Sequence, residues 1–343
     1  MIILSIRRVI LVVLIFMTVV SCHDKLVVMA PYRVVPVVYC VINPKDPVQY
    51  LRLEKSFLGE GNAYDMAKES DSIYYKEAAV FLERWADGEM KEQLPMVLVE
   101  APVRESGIFT NDPNYLYMLS KPVLGNKEYR LKIEIPSTNT LISATTHTVS
   151  DFKVVKPEGF KKNLPFSSYD NYQSVQWISA PYTRIYQLII RFHYLEVVNN
   201  DTSFLFADWN IGQSITESGA GGELMTVDIL QRNFYKWIGN KLTKPPEGIQ
   251  RLADKKAIDF IFTVGAEELY TYMEIYKADN GVPKEKPVFT NITNGIGLFS
   301  AKYVQSVLGK SLSEHSVDSL AYGIYTKDLR FADSQNDYYY TGF

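Results

Sequence analysis

The group that most plainly carries chemistry is the thiol of Cys22. It closes the run Val19-Val20-Ser21-Cys22, which reads as a bacterial lipobox. The order has a chemical reason: a small residue at Ser21 lets a signal peptidase reach the bond, and the Cys22 sulfur then takes a lipid. Arg7 and Arg8 precede the apolar stretch Val9 to Val20. That stretch is too short to span a bilayer and has signal-peptide flanks. Residues 1–21 are therefore predicted to be a signal peptide, and 22–33 a lipidated tether. The anchored body is expected at the outer membrane, on either of its faces.

No second chemistry is legible at this level. Metal sites need clustered His, Cys or carboxylates, and the four histidines His23, His147, His193 and His315 stand apart in sequence. No metal and no cofactor is predicted. Asp65, Glu69 and Asp71 lack the glycine spacing of a calcium loop. Gly59-Glu60-Gly61 and Gly219 to Gly222 lack the Lys and Ser/Thr of a phosphate loop and read as turns. There is no Gly-x-Ser-x-Gly elbow. Glu267-Glu268 reads as a solvated helix start, since adjacent helical residues do not face each other. No catalytic residue is assigned, and a hydrolase would need Asp or Glu to converge with His193 or His315 in a pocket. Cys40, in an apolar run, reads as a buried inert thiol.

Three weaker signals bear on modification and binding. Asn291-Ile292-Thr293 matches a glycosylation sequon but stands before Asn294-Gly295, so a structural role in a turn is expected, with Gly297 allowing close backbone packing. Asp71-Ser72-Ile73 and Asp318-Ser319-Leu320 resemble the short O-glycosylation signal of Bacteroidota. Trp177, Trp209 and Trp237 would make a ligand platform if exposed together; core packing is the expectation for aromatic side chains of this size.

The elements that must position these residues are mostly strands. The chain has 343 residues, 47% hydrophobic and 22% charged, enough to fold as two domains. A net charge of −3 argues against a nucleic-acid partner. Val34 to Ile42 and Val48 to Lys55 flank the turn cluster Asn43 to Pro47 and predict a hairpin. Ala78–Trp85, Leu94–Val99, Tyr115–Leu119, Tyr129–Ile135 and Leu141–Val149 add strands, with polar residues at alternate positions where one face is buried. This spacing predicts an immunoglobulin-like β-sandwich over 34–153. Val154 to Asp170 reads as a linker. Beyond it, 154–343 is predicted as a larger β-rich domain with one or two helices. Its expected strands are Ser174–Ala180, Arg184–Val198, Ser203–Gly212 and Ala257–Val264. A helix capped by Thr226 is expected to bury Leu230, Phe234, Ile238 and Leu242. Glu267 to Lys277 alternates like a strand but fits a helix better. A short strand near Leu298, a short helix at Val317–Tyr322 and a last strand at Asp328–Phe331 complete the expectation.

The stretch Phe289 to Phe299, after the tyrosine-rich Glu268 to Tyr276, resembles a signature of a Bacteroidota outer-membrane lipoprotein family labelled domain of unknown function 4249. Phe57 to Ala63 is similar to one branch of such lipoproteins. The resemblance implies an outer-membrane lipoprotein near a TonB-dependent import receptor and implies no reaction. His23-Asp24-Lys25 is less acidic than a surface-export tether, which leaves the membrane face open.

Taken together, these readings predict a non-catalytic binding or accessory lipoprotein, with a TonB-dependent receptor as partner and a peptide or glycan as ligand. The alternative is a structural or adhesive subunit of fimbrial type, in which a removable first strand, with Arg33 as processing site, would open a groove for the next subunit.

Overall fold

The computed structural model describes residues 34–56, 73–102, 113–159, 163–164, 166, 169–199, 201–276 and 289–335. Cys22 and the tether, Phe57 to Ser72 and the tract 277–288 lie outside them. So do the expectations placed on Cys22, His23, Arg33, Phe57–Ala63, Asp65, Glu69, Asp71 and Ser72.

The first unit is built from β1 (Pro36–Ile42), β2 (Gln49–Lys55), β3 (Ala79–Ala86), β4 (Glu89–Ala101), β5 (Asn114–Leu119), β6 (Glu128–Ile135) and β7 (Thr140–His147). Their period-two patterns point one side inward. Val38, Cys40 and Ile42 of β1 meet Leu51 and Leu53 of β2, Val80 and Leu82 of β3, and Tyr129, Leu131 and Ile133 of β6 in one core. The β1–β2 hairpin forms as expected. Its turn is held by Gln49, whose side-chain amide donates to Asn43 O and Asp46 O and accepts from the Asn43 amide. The buried amide is thereby fully used, as a buried polar group requires. β4 turns a corner: Glu89 to Met96 pairs with β3, and Val97 to Ala101 pairs with β5. One strand thus serves both layers of the sandwich.

The second unit comprises β8 (Val154–Lys156), β9 (Asn163–Leu164), β10 (Tyr172–Ile178), β11 (Ile185–Val198), β12 (Asp201–Ile215), β13 (Leu224–Leu230), β14 (Gln250–Gly265) and β15 (Ile296–Leu312), with helices α1 (Gln231–Lys241), α2 (Glu267–Tyr276) and α3 (Glu314–Tyr322). The sheet β8-β10-β13 packs on the run β12-β11-β14-β15. Trp177, Tyr186, Phe152 and Phe262 meet between them, with ring centroids 5.2–5.5 Å apart. Phe234 and Ile238 of α1, and Val317 and Leu320 of α3, join the same core. The fold is mainly β with few helices, as the sequence predicts; three α-helices lie among the described residues.

β15 couples the two units. Residues Ile296 to Ala301 run parallel to β1, and Lys302 to Lys310 run antiparallel to β14. The short strand expected near Leu298 is therefore a 17-residue strand. Its alternation is masked because consecutive residues Gly297 to Ala301 are buried on both faces, one toward the core and one beneath α2. The segment before it closes the first unit as well. Ser143 and Thr293 exchange backbone hydrogen bonds, and Asn294 Nδ2 donates to Leu141 O, 2.8 Å away. A hydrogen-bonded circuit therefore runs from β15 through β1 and round to β7. The cut expected between 153 and 154 separates β1–β7 from β8–β14, but β15 belongs to both units, and the expected linker contains β8 and β9.

Two further expectations are corrected. Thr226 caps no helix; it lies in β13, paired with Gln176 of β10. Helix α1 begins at Gln231, whose amide donates to Asn171 O. The alternation of residues 224–230, once paired across the sheet, overrides the cap-like Thr-x-Asp pattern. The last strand, expected at Asp328–Phe331, is a 3₁₀ turn over Lys327–Leu329 followed by a single parallel bridge from Phe331 to Arg251. The ambiguous stretch after Ala266 is the helix α2.

Candidate ligand cleft at the seam of the two units

Where the last strand of the first unit ends, the second unit begins its main sheet, and a cleft of about 270 Å³ opens between them. His147, at the end of β7, forms one wall. The turn Tyr182-Thr183-Arg184 that leads into β11 forms the second, with Gly219 beside it. Ala266, Glu267 and Glu268, the entry to α2, form the floor. The backbone fixes this geometry. Tyr182 N donates to Gly219 O, Arg184 N to Gly265 O, and Ala266 N to Ala301 O.

The side chains divide into an aromatic wall and a polar floor. The imidazole of His147 stacks on the Tyr182 ring at 4.3 Å and 14°. Tyr182 holds a left-handed backbone, φ 62°, which turns its ring outward, and it is 42% exposed. Glu268 is fastened by two hydroxyls: its Oε2 accepts from Thr146 Oγ1 at 3.0 Å and from Ser300 Oγ at 3.1 Å. These donors come from β7 and β15, so the carboxylate ties the seam together. Glu267 is free to face solvent, with Oε2 3.3 Å from Arg184 Nε in an ion pair. Arg184 also donates to Thr216 O and lies over the Tyr270 ring.

Two polar atoms of the lining are left over. Thr183 Oγ1 and Arg184 Nε are buried and form no hydrogen bond of good geometry, the latter keeping only its ion pair with Glu267. Thr183 is closed off from solvent, and its neighbour Tyr186 accepts from Ala180 N. Burial pushes the Tyr186 phenol up, while that amide and the nearby Thr183 hydroxyl oppose the shift. Unpartnered buried groups of this kind cost free energy.

The residues singled out by sequence fall elsewhere, apart from His147, Gly219 and the Glu267-Glu268 pair. Glu267-Glu268 does start a helix, but Glu268 is bound within the seam. His193 meets Asp259 at 2.8 Å, and Asp259 in turn accepts from Gly309 N. This is the convergence a hydrolase would need, yet it sits on the outer face of the β11–β14 pair beside Arg191 and Phe206, and among the described residues no hydroxyl or thiol is hydrogen-bonded to it. His315 is exposed on α3. Asp318-Ser319-Leu320 is also part of α3, with Leu320 buried and Ser319 donating to His315 O. Asn291 is structural: its amide donates to Phe299 O and accepts from Phe299 N, prolonging the strand pairing. The tryptophans do not form a common platform. Trp177 is fully buried, while Trp209 and Trp237 stack at 5.5 Å on the rim of the core. Cys40 is buried in the first core, as expected, and burial pushes its thiol up to about 12. Among the described residues no group of three or more His, Cys, Asp or Glu is placed to hold a metal.

Sequence reasoning missed Thr146, Tyr182, Thr183, Arg184 and Ser300 because nothing local marks them. They come from β7, from the turn before β11 and from β15, which are far apart in the chain. Compared with protein-family models the chain matches none, and a comparison with curated proteins likewise found no match.

Proposed function

We propose that this chain is a lipid-anchored protein of the bacterial outer membrane, non-catalytic, which binds a ligand at the seam cleft and serves as an accessory to a TonB-dependent import receptor. The observation that carries the binding reading is the cleft itself, where a stacked aromatic pair shares the lining with the exposed Glu267 carboxylate and the half-buried Arg184 guanidinium. The anchor rests on Val19-Val20-Ser21-Cys22 and its preceding apolar run, and the family resemblance of Phe289 to Phe299 agrees with it. The absence, among the described residues, of any hydroxyl or thiol hydrogen-bonded to the His193–Asp259 pair supports the non-catalytic reading.

The test is affinity purification of the tagged native protein from gently solubilised outer membranes. A stoichiometric TonB-dependent receptor is the expected companion. Ladders of the protein itself would replace this reading with the fimbrial one; β1 lies between β2 and β15, so its release would open a groove there. Cys22→Ala is expected to abolish fatty-acid labelling and to remove the protein from the outer membrane. Retention of the variant in that membrane would refute the anchor.

A further inference from the structure

The seam cleft has a chemistry that narrows its occupant. Its volume, about 270 Å³, lies just below the ~300 Å³ at which sites for drug-sized ligands begin, so it holds one ring and not a chain. Its aromatic wall offers a flat apolar face. Its polar side offers groups that recognise hydroxyls: the Glu267 carboxylate as acceptor and the Arg184 guanidinium as donor. The nearby charges are mostly negative. Glu267 and Glu268 line the cleft, Glu128 stands 4.0 Å from His147, and Arg184 is the one fixed cation in the lining. An anionic occupant would meet like charge without a free counter-ion, because Arg184 is already paired. Of the strands at the lining, β11 is paired on both sides, while β7 pairs with β6 and beyond it only through the Ser143–Thr293 bridge.

We propose that the cleft formed by His147, Tyr182, Thr183, Arg184 and Glu267 binds a single uncharged pyranose ring at the end of a glycan, with one ring face on the outward face of Tyr182, which His147 backs, and its hydroxyls on Glu267 and Arg184. The inference rests on the binding reading above and assigns its ligand class.

The experiment uses the native lipoprotein in a detergent without a sugar headgroup, titrated calorimetrically with the methyl glycosides of glucose, galactose and mannose, and with glucuronate as the charged control. At least one neutral glycoside should bind with Kd on the order of 1–10 mM, as suits one ring. Glucuronate should bind about tenfold more weakly or not at all. Glu267→Gln removes the exposed carboxylate and should weaken binding about fivefold without lowering the unfolding midpoint. A merely structural carboxylate would lower that midpoint and leave affinity alone. Tyr182→Asn removes the ring while keeping a residue that accepts the left-handed backbone, and should abolish binding. No neutral glycoside binding at about 50 mM, well above that range, or tighter binding of glucuronate, would overturn the proposal. So would affinities indifferent to both substitutions. If the glycosides fail while a receptor still co-purifies, the glycan assignment falls and the accessory role stands. If they bind and no receptor appears, the reverse holds.

Discussion

Gly297→Ala tests whether β15 is what joins the two units. Gly297 has φ 122°, which L side chains rarely adopt, and it lies opposite Val38 in the parallel β1–β15 ladder. A Cβ there would meet Val38 O at 1.9 Å, against a limit of 3.0 Å for real contacts. The two backbones must part by about 1 Å, enough to remove roughly two ladder hydrogen bonds worth about 1 kcal/mol each. The backbone conformation adds about 1–3 kcal/mol. The expected loss is therefore roughly 3–5 kcal/mol, a large share of the ~5–15 kcal/mol that holds a domain folded. Gly222→Ala is the control. Its φ is 84° with nothing within 4 Å of the added carbon, so it should lose only the conformational cost of about 1–2 kcal/mol. The assay, in a Trp85→Phe background, is urea unfolding followed by tryptophan fluorescence, which then reports Trp177, Trp209 and Trp237 of the second unit, and by far-UV circular dichroism, which reports both units. The Gly297 variant should show the larger midpoint shift, and its two probes should cease to coincide as the units uncouple. Equal shifts for the two variants would refute the claim that this close approach couples the units.

Three other perturbations have definite signs. Arg251 has a side chain only 5% exposed and donates from Nε and NH2 to Glu196 and from NH1 to Thr243 O; Arg251→Met should cost about 3 kcal/mol by stranding Glu196, and Glu196→Leu in addition should restore part of it in a double-mutant cycle. Burial raises the Cys40 thiol to about 12 from its ordinary 9.0, so the folded state keeps its proton after the unfolded chain has lost it. The resulting stability is complete below pH 9 and is lost as pH rises toward 12, by up to about 1.4 kcal/mol per unit relative to Cys40→Ala; identical alkaline slopes for the two proteins would contradict this. Asn291→Ala removes two hydrogen bonds from the Phe299 backbone and should cost about 1–3 kcal/mol in thermal or urea unfolding, whereas loss of a glycan from that position would leave the purified protein's stability unchanged.

Local signals alone mark most strands of the first unit, the β1–β2 hairpin, the strands β11 and β12, and the burial of Cys40. Alternation in Tyr129 to Ile135 is written in adjacent residues, and Asn43 to Pro47 carries turn chemistry within five positions. The sequence also singled out Asn291, Gly295 and Gly297 as structural, which their hydrogen bonds and close contacts bear out. The tertiary structure alone decided the rest. β15 reads poorly as a strand because one part of it is buried on both faces and the other on one, and its two partners, β1 and β14, lie more than 30 positions away in the chain. Thr226 looks like a cap until β10 arrives to pair with it. The cleft is the extreme case. Thr146, Thr183, Glu268 and Ser300 are ordinary residues in sequence, and they form a site only because a strand from the chain's end closes a unit begun near its start. Side-chain chemistry is encoded locally, but the convergence that gives it a function is set by long-range pairing of the backbone.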